Sequence, residues 1–268
     1  MINLICEVCY NHGGDIKQAK KIVNAFLDSC DIFKFQKMHP KTFLKKRYYE
    51  KNKNHIDYFG KTYGEHMDHL ELTIEEHKEL KRYIESKGKK YSCSVHDIHS
   101  AKEIIPLDPE YIKIASCNCN NFKLIDYCLK NFKGLIHIST GMTTKKERQK
   151  LLCYSNNIVP YSCTSDYTGK GDIYIERMRG FSCHVPNILY AIAAITNGAK
   201  YIEYHCAIDR KIKGVGQDPQ ISLMPDDYMD LREWIDGNSE GLGKMKFKKP
   251  PGVPERERAA RNKLWFTV

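Results

Sequence analysis

Two histidines and two lysines in this 268-residue chain have the types and spacing that chemistry on an anionic substrate needs. His184 ends the apolar segment GFSCH and His205 ends YIEYH, while Lys34 and Lys113 interrupt IFKFQ and YIKIAS. A pair of imidazoles can hold a divalent ion and leave coordination positions open, which is typical of a catalytic metal. Lysines suit a phosphate or a carboxylate. The sequence therefore predicts a metal site beside an anion site.

The segments that carry these residues alternate with helix-like segments. We predict strands at 5–9, 32–36, 90–95, 111–116, 134–140, 158–165, 180–185 and 201–206. Helical spacing follows most of them, with Asp15, Thr73 and Pro186 as helix starts, but the segment after the sixth strand is ambiguous. Strands alternating with helices predict a parallel sheet. Eight units within residues 1–243 predict one closed (β/α)8 TIM barrel, and residues 244–268 read as a basic, proline-rich linker or tail.

The direction of side chains along each predicted strand separates polar from apolar residues. On the last strand Glu203 and His205 share one face, and Ile202 and Tyr204 share the other. A similar division holds on four other strands, and Glu7 is the one charge of the first strand. Any one of these residues could be a hydrogen-bonded structural group, but burying the whole polar set without a ligand is costly. We therefore place the polar faces at the C-terminal mouth of the barrel, where such barrels have their active sites.

The charge balance allows two classes of partner. Lys and Arg number 43 against 33 Asp and Glu, a net charge of +10, which suits nucleic acid or an anionic small substrate. The densest basic runs, at 45–55 and 244–250, have the composition of solvated segments. We therefore expect small-molecule substrates and no nucleic-acid partner.

Eleven cysteines do not form the pattern of a disulfide framework, because most lie inside apolar runs. The CxxC at 6–9 and the CxC at 117–119 have no matching second pair, so a structural zinc site is not favoured. No run approaches the roughly 20 apolar residues of a membrane span, and the N-terminus lacks the pattern of a secretory signal. We expect a cytoplasmic protein with reduced thiols and no membrane partner.

Eight ordered blocks from Ile5 to about Leu223 resemble the sialic acid synthase family, which includes N-acetylneuraminate synthase and its legionaminic and pseudaminic acid relatives. The segment ICEVCYNHGGDIKQAKKIV resembles the opening IAEIGxNHNGD of that family. The other blocks are FKFQK, GKTYGEHMDHLELTIEEHKEL, YIKIASCNCNN, ISTGMTT, CTSDYT, GFSCHV and GAKYIEYHCAIDR. Matches in the same order over most of the chain are more specific than a lone short motif.

The resemblance implies condensation of phosphoenolpyruvate with an N-acylated amino sugar, with release of phosphate. It also implies a divalent ion, Mn2+ or Mg2+, and a homodimer. Carried over by motif, the catalytic residues would be Glu7, His184 and His205, with the two histidines as metal ligands. The phosphoenolpyruvate site would comprise Lys34, Gln36, Ser94, Lys113, Ser116, Ser139 and Ser182, and the sugar site Asn118 and Asp218.

Departures from the family pattern leave other interpretations open. Asn118 stands where the family has an acid, Cys183 precedes His184, and Ser162 replaces a common histidine. We expect no counterpart of the family's C-terminal antifreeze-like domain after the barrel. The alternatives are another phosphoenolpyruvate-condensing synthase of 3-deoxy sugar acids, a partnered protein whose missing domain comes from another chain, and a non-catalytic relative that binds a phosphorylated ligand.

Overall fold

The predicted (β/α)8 barrel is confirmed by a computed structural model, which describes residues 1–52, 59–168 and 171–244. Eight parallel strands follow one another in sequence order around the barrel, and β8 closes it against β1. The strands are β1 Asn3–Glu7, β2 Ile32–Lys37, β3 Lys90–Val95, β4 Tyr111–Ile114, β5 Leu135–Ser139, β6 Ile158–Cys163, β7 Gly180–Cys183 and β8 Tyr201–His205. Closure leaves every strand paired on both sides, so the sheet has no free edge.

Helices follow the strands and cover the outside of the barrel. They are α1 Ile16–Ala25, α2 Pro40–Phe43, α3 Lys46–Tyr49, α4 Tyr63–Leu70, α5 Ile74–Ser86, α6 Ile98–Ile104, α7 Phe122–Asn131, α8 Lys145–Leu152, α9 Ile188–Thr196, α10 Asp218–Ile221, α11 Pro225–Gly237 and α12 Ser239–Lys244. Between β6 and β7 the described residues contain no helix, which explains the ambiguous pattern after the sixth strand. The tail predicted at 244–268 lies outside the described residues beyond position 244.

Side-chain caps fix where most of these helices begin. The Asp15 side chain accepts from the backbone N–H of Lys17, and Thr73 with Glu76 forms a reciprocal capping box, as predicted. The predicted helix start at Pro186 was wrong by two residues. Asn187 caps that helix because its side-chain oxygen accepts from the backbone N–H of Leu189.

The barrel interior has an apolar and aromatic lower layer beneath the mouth. Ile5, Tyr111 and Tyr161 lie in this layer, fully enclosed by the strands. His137, which the alternation placed inward, stacks on Tyr111 with ring centroids 3.7 Å apart and its Nδ1 lies 2.8 Å from the Tyr161 hydroxyl. This layer closes the lower lumen, so His137 is a structural residue and chemistry is confined to the upper end.

No helix among residues 1–52, 59–168 and 171–244 is long and apolar enough to cross a bilayer. Eleven cysteines are all free thiols, in agreement with the reduced state expected from the sequence.

Tyr228 on α11 ties the closing seam of the barrel to the helical layer. Its buried hydroxyl lies 2.9 Å from the Ile5 carbonyl oxygen and 2.8 Å from that of Tyr204, on the two strands that meet at the seam. We expect Tyr228→Phe to lower the free energy of unfolding by about 1–3 kcal/mol, since buried carbonyls lose a donor. Urea unfolding measures the change. Tyr174→Phe is the control, because that side chain is 67% exposed; an equal loss in both variants would contradict this role for Tyr228.

Candidate active site

A cavity of about 110 Å³ opens at the C-terminal ends of the strands. Drug-sized ligands occupy pockets of roughly 300–1,000 Å³, so this cavity suits a small polar ligand. The described residues that line it are Glu7, Cys9, Lys34, Gln36, Ser94, His96, Lys113, Ala115, Ser116, Cys117, Ser139, Met142, Cys163, Ser165, Tyr167, Ser182, His184, Glu203 and His205. All the site residues predicted from the sequence line it except Asn118 and Asp218.

The strand register brings the polar residues to one level of the barrel. Glu7 is paired with Lys34 on β2 and with His205 on β8, and Ser94 is paired with Lys113. Paired residues on adjacent parallel strands lie about 5 Å apart, so side chains from several strands converge on one volume. The alternation seen in the sequence is therefore what builds the mouth.

Glu203 is the centre of a buried ion-pair network. Both of its carboxylate oxygens accept from Lys113 Nζ, at 2.9 and 2.8 Å, and Ser182 Oγ donates to it at 3.0 Å. Lys34 Nζ lies 3.7 Å from the same carboxylate. Burial by itself would raise the pKa of Glu203, but the charges of Lys113 and Lys34 outweigh it and lower the pKa to about 2. The carboxylate is therefore charged at neutral pH.

Lys34 is the second cation of this network. Its Nζ forms a close ion pair with Glu7 and lies 2.8 Å from Ser94 Oγ. Burial and the neighbouring charge of Lys113 together lower the pKa of Lys34 to about 8, against the opposing effect of Glu203. Lys34 is thus a cation at neutral pH that loses its proton at moderately alkaline pH.

His184 and His205 have the surroundings of metal ligands. Their ring centroids are 5.3 Å apart. His184 Nδ1 lies 3.0 Å from the Thr164 carbonyl oxygen, so Nδ1 carries a proton and Nε2 keeps its lone pair. His205 Nδ1 is buried, has no hydrogen-bond partner among the described residues, and lies 3.9 Å from Asp218 Oδ1. A bound cation would satisfy the unpartnered nitrogen, and a backbone carbonyl that orients a histidine is the usual outer partner of a metal ligand.

The two predicted sugar-site residues lie behind the cavity wall. Asn118 is buried and donates through Nδ2 to the His96 carbonyl oxygen at 3.1 Å. Asp218 is buried beside His205, and its Oδ2 lies 3.5 Å from the backbone N–H nitrogen of Tyr10. Their predicted contact with a sugar stays a prediction.

Ser116 and Gly141 hold the loops after β4 and β5 together. The backbone N–H of Gly141 donates to Ser116 Oγ at 3.2 Å. A Cβ at position 141 would lie 2.5 Å from Ser165 Oγ and 2.9 Å from the Cys163 carbonyl oxygen, so glycine is needed for this close approach. The glycine in ISTGMTT thus shapes one wall of the cavity.

Sequence reasoning missed several residues of the mouth. Alternation along β8 placed Glu203 inward but gave it no role, although it organises both lysines. Cys9 and Cys163 line the cavity, but the sequence placed Cys9 only in a CxxC that does not favour zinc and Cys163 only in an apolar run. Burial would raise the pKa of Cys163, but its contacts with His184 and Ser116 lower it. Tyr167, in the CTSDYT block, was given no role, and it packs over His184 with ring centroids 4.3 Å apart.

We expect Glu203→Gln to lower the free energy of unfolding by about 3–5 kcal/mol, because Lys113 is left buried beside Lys34 without its counter-charge. The double variant Lys113→Met/Glu203→Gln should recover part of this loss. Glu110→Gln, which breaks an exposed ion pair with Lys90, is the matched control and should cost less than about 1 kcal/mol. Unchanged urea unfolding of Glu203→Gln would contradict the central role of this carboxylate.

Comparison with known proteins extends over most of the chain. Human N-acetylneuraminate-9-phosphate synthase is 29% identical over 245 residues, which cover 85% of this chain and 67% of the human protein. The N,N'-diacetyllegionaminic acid synthase of Legionella pneumophila is 29% identical over 270 residues, covering 92% of this chain and 74% of that protein. The chain thus spans about two thirds to three quarters of the length of these relatives.

A solved structure has the same fold. N-acetylneuraminic acid (sialic acid) synthetase from Leptospira borgpetersenii superposes with a TM-score of 0.76 at 21% identity, covering 99% of this chain and 93% of that one. Residues 21–246 match the NeuB family. Together with the ordered motifs and the barrel, this match shows that the chain belongs to the NeuB family.

Proposed function

We propose that this protein condenses phosphoenolpyruvate with an N-acylated amino sugar to form a nonulosonate and release phosphate. The observation that carries the proposal is the small buried cavity in which Lys34, Lys113 and several serine hydroxyls lie beside His184 and His205. Family membership and the names of the relatives support the same reaction class.

The charge balance of the cavity supports a requirement for a divalent ion. Lys34 and Lys113 are offset by Glu7 and Glu203, so the network as a whole has no surplus positive charge for an incoming anion. Phosphoenolpyruvate carries both a phosphate and a carboxylate, and burying it there without added positive charge would be unfavourable. His184 and His205 would hold this ion, Mn2+ or Mg2+ in our proposal, which would supply that charge and Lewis-acid activation of the sugar carbonyl.

The lysines and hydroxyls of the mouth bind and orient phosphoenolpyruvate. Lys34 is held by Ser94, and Lys113 also lies over the Tyr161 ring at 3.8 Å, so both ammonium groups are fixed before substrate arrives. Ser116, Ser139 and Ser182 place further hydroxyl groups at the same rim. A prearranged set of donors stabilises the phosphate as it departs without reorganisation during the reaction. Fixing two substrates in one geometry supplies a further part of the rate.

Glu7 is positioned to accept a proton during the reaction. It is buried, contacts Lys34, and accepts from the backbone N–H of Cys9 at 2.9 Å. In the overall reaction the methylene carbon of phosphoenolpyruvate bonds to the sugar carbonyl carbon, water adds at the adjacent carbon, and the bond from that carbon to the phosphate oxygen breaks. We assign Glu7 to accept the proton from the attacking water.

We also propose that the protein acts as a homodimer in the cytoplasm.

We expect phosphate release by the purified full chain to require phosphoenolpyruvate, a divalent ion and one member of a panel of N-acyl amino sugars, and to stop with chelator. His205→Ala should lower the rate at least about 100-fold while the barrel stays folded, the size of effect typical of a lost catalytic group. His99→Ala is the matched control, because that side chain is 58% exposed and outside the cavity. Normal turnover by His205→Ala, or no release with any sugar despite a folded protein, would contradict the proposal.

The pKa of Lys34 gives a separate expectation for substrate binding. Because the protonated amine binds the anion and its pKa is about 8, affinity for phosphoenolpyruvate should be constant below that pH and fall as pH rises through it. Titration calorimetry across that range measures the change. Lys34→Arg should move the fall to higher pH, since arginine stays protonated. An affinity that does not change across pH 8 would show that Lys34 does not bind the substrate as a cation.

A further inference from the structure

Three side chains that could bind a metal ion lie close together at the wall of the cavity. The family resemblance does not assign these three residues together as metal ligands. Cys9, His205 and Asp218 each offer one donor atom, and the three atoms lie within 4.8 Å of one another. They come from the loop after β1, the end of β8 and the start of α10. Only His205 belongs to the predicted ligand pair, so Cys9 and Asp218 are new as metal ligands.

The surroundings of His205 indicate that these three groups bind a ligand. The residue is 6% exposed, and its Nδ1 is buried with no hydrogen-bond partner in the described chain. That atom lies 3.9 Å from Asp218 Oδ1, which is too far for a hydrogen bond. A cation between the two groups would satisfy the His205 nitrogen, and it explains why this buried atom is left without a partner.

Cys9 presents its thiol to the same place from an unusual backbone conformation. Its φ is +46°, in the left-handed region where glycine is favoured, and its backbone N–H donates to Glu7 Oε1. The family segment IAEIGxNHNGD has glycine at the corresponding position. Cys9 therefore has a side chain at a turn position where glycine would suffice, and this side chain lines the cavity.

We propose that the sulfur of Cys9 coordinates the divalent ion together with His205 and Asp218, and that this thiol shifts the preference of the site from the Mn2+ or Mg2+ implied by the family resemblance toward Zn2+, Fe2+ or Co2+. Thiolate ligands favour these softer ions, whereas Mg2+ takes oxygen ligands. The Cys9 thiol releases its proton to solvent when the ion binds, so the complex contains a thiolate and a carboxylate.

This inference rests on the proposed function only for the shared histidine, and metal binding can be measured without substrate. The chelator-treated full chain is titrated with Co2+ under reducing conditions, and the near-ultraviolet sulfur-to-cobalt charge-transfer band is recorded. We expect one such band per bound ion in the parent protein and none in Cys9→Gly or Cys9→Ser. Cys9→Gly removes the thiol and relieves the left-handed backbone, so it keeps the fold. Cys117→Ser is the matched control, a second thiol of the same cavity, and should keep the band.

Metal affinity provides a second test. A purely structural role for Cys9 would not change the affinities for Zn2+ and Mg2+ by different amounts. Cys9→Ser should weaken Zn2+ binding by about tenfold or more, as loss of even an outer partner of a metal site does, while Mg2+ binding changes by less than about threefold because oxygen ligands suit it. Absence of the cobalt band in the parent protein, or its persistence in Cys9→Ser, would overturn the inference.

The outcomes distinguish failure of the metal-site proposal from failure of the proposed condensation. Phosphate release that continues in a parent protein without the cobalt band removes the thiol ligand and leaves the condensation in place. A clear Cys9-dependent band in a protein that releases no phosphate with any sugar and any of Mn2+, Zn2+, Fe2+ or Co2+ supports the metal site and overturns the proposed reaction.

Discussion

Burial of Glu203, Lys113, Lys34 and Glu7 in one volume is the constraint that the rest of the barrel satisfies. Each charge would cost several kcal/mol to bury alone, so each must be paired, and the bidentate contact between Lys113 and Glu203 provides the main pair. The strand register sets the pairing, because a shift by one residue would turn every polar side chain outward. Stability and the arrangement of the site therefore depend on the same contacts.

The surroundings of this network keep it prearranged. Below it, Tyr111, His137 and Tyr161 fill the lower lumen, so Lys113 cannot relax away from the mouth. Outside it, apolar faces of the strands pack against the helices, as with Phe33 and Phe35 on β2. Substrate binding then requires exchange of contacts within a fixed frame, which costs little reorganisation, and this favours catalysis over loose binding.

Much of the fold and part of the site could be predicted from the sequence, for a definite reason. Side-chain alternation is local, so residues such as Lys34, Lys113, His184 and His205 could be assigned to the lumen from their own strands. The placement of Asp218 and Asn118 could not, because both follow loops whose path depends on long-range contacts. Cys9 was missed because its CxxC has no matching second pair in the sequence, whereas its positive φ and its neighbours across the barrel are visible only in the structure.

The central claim is that phosphoenolpyruvate binds between the buried lysines and the histidine pair. A crystal structure of the full chain with phosphoenolpyruvate and a divalent ion tests this most directly, with anomalous scattering to locate the ion. The account predicts phosphate and carboxylate oxygens within about 2.7–3.2 Å of Lys34 Nζ and Lys113 Nζ, and an ion peak next to His205. Phosphoenolpyruvate bound elsewhere, with the contact between Lys113 and Glu203 unchanged and the cavity free of substrate, would contradict it.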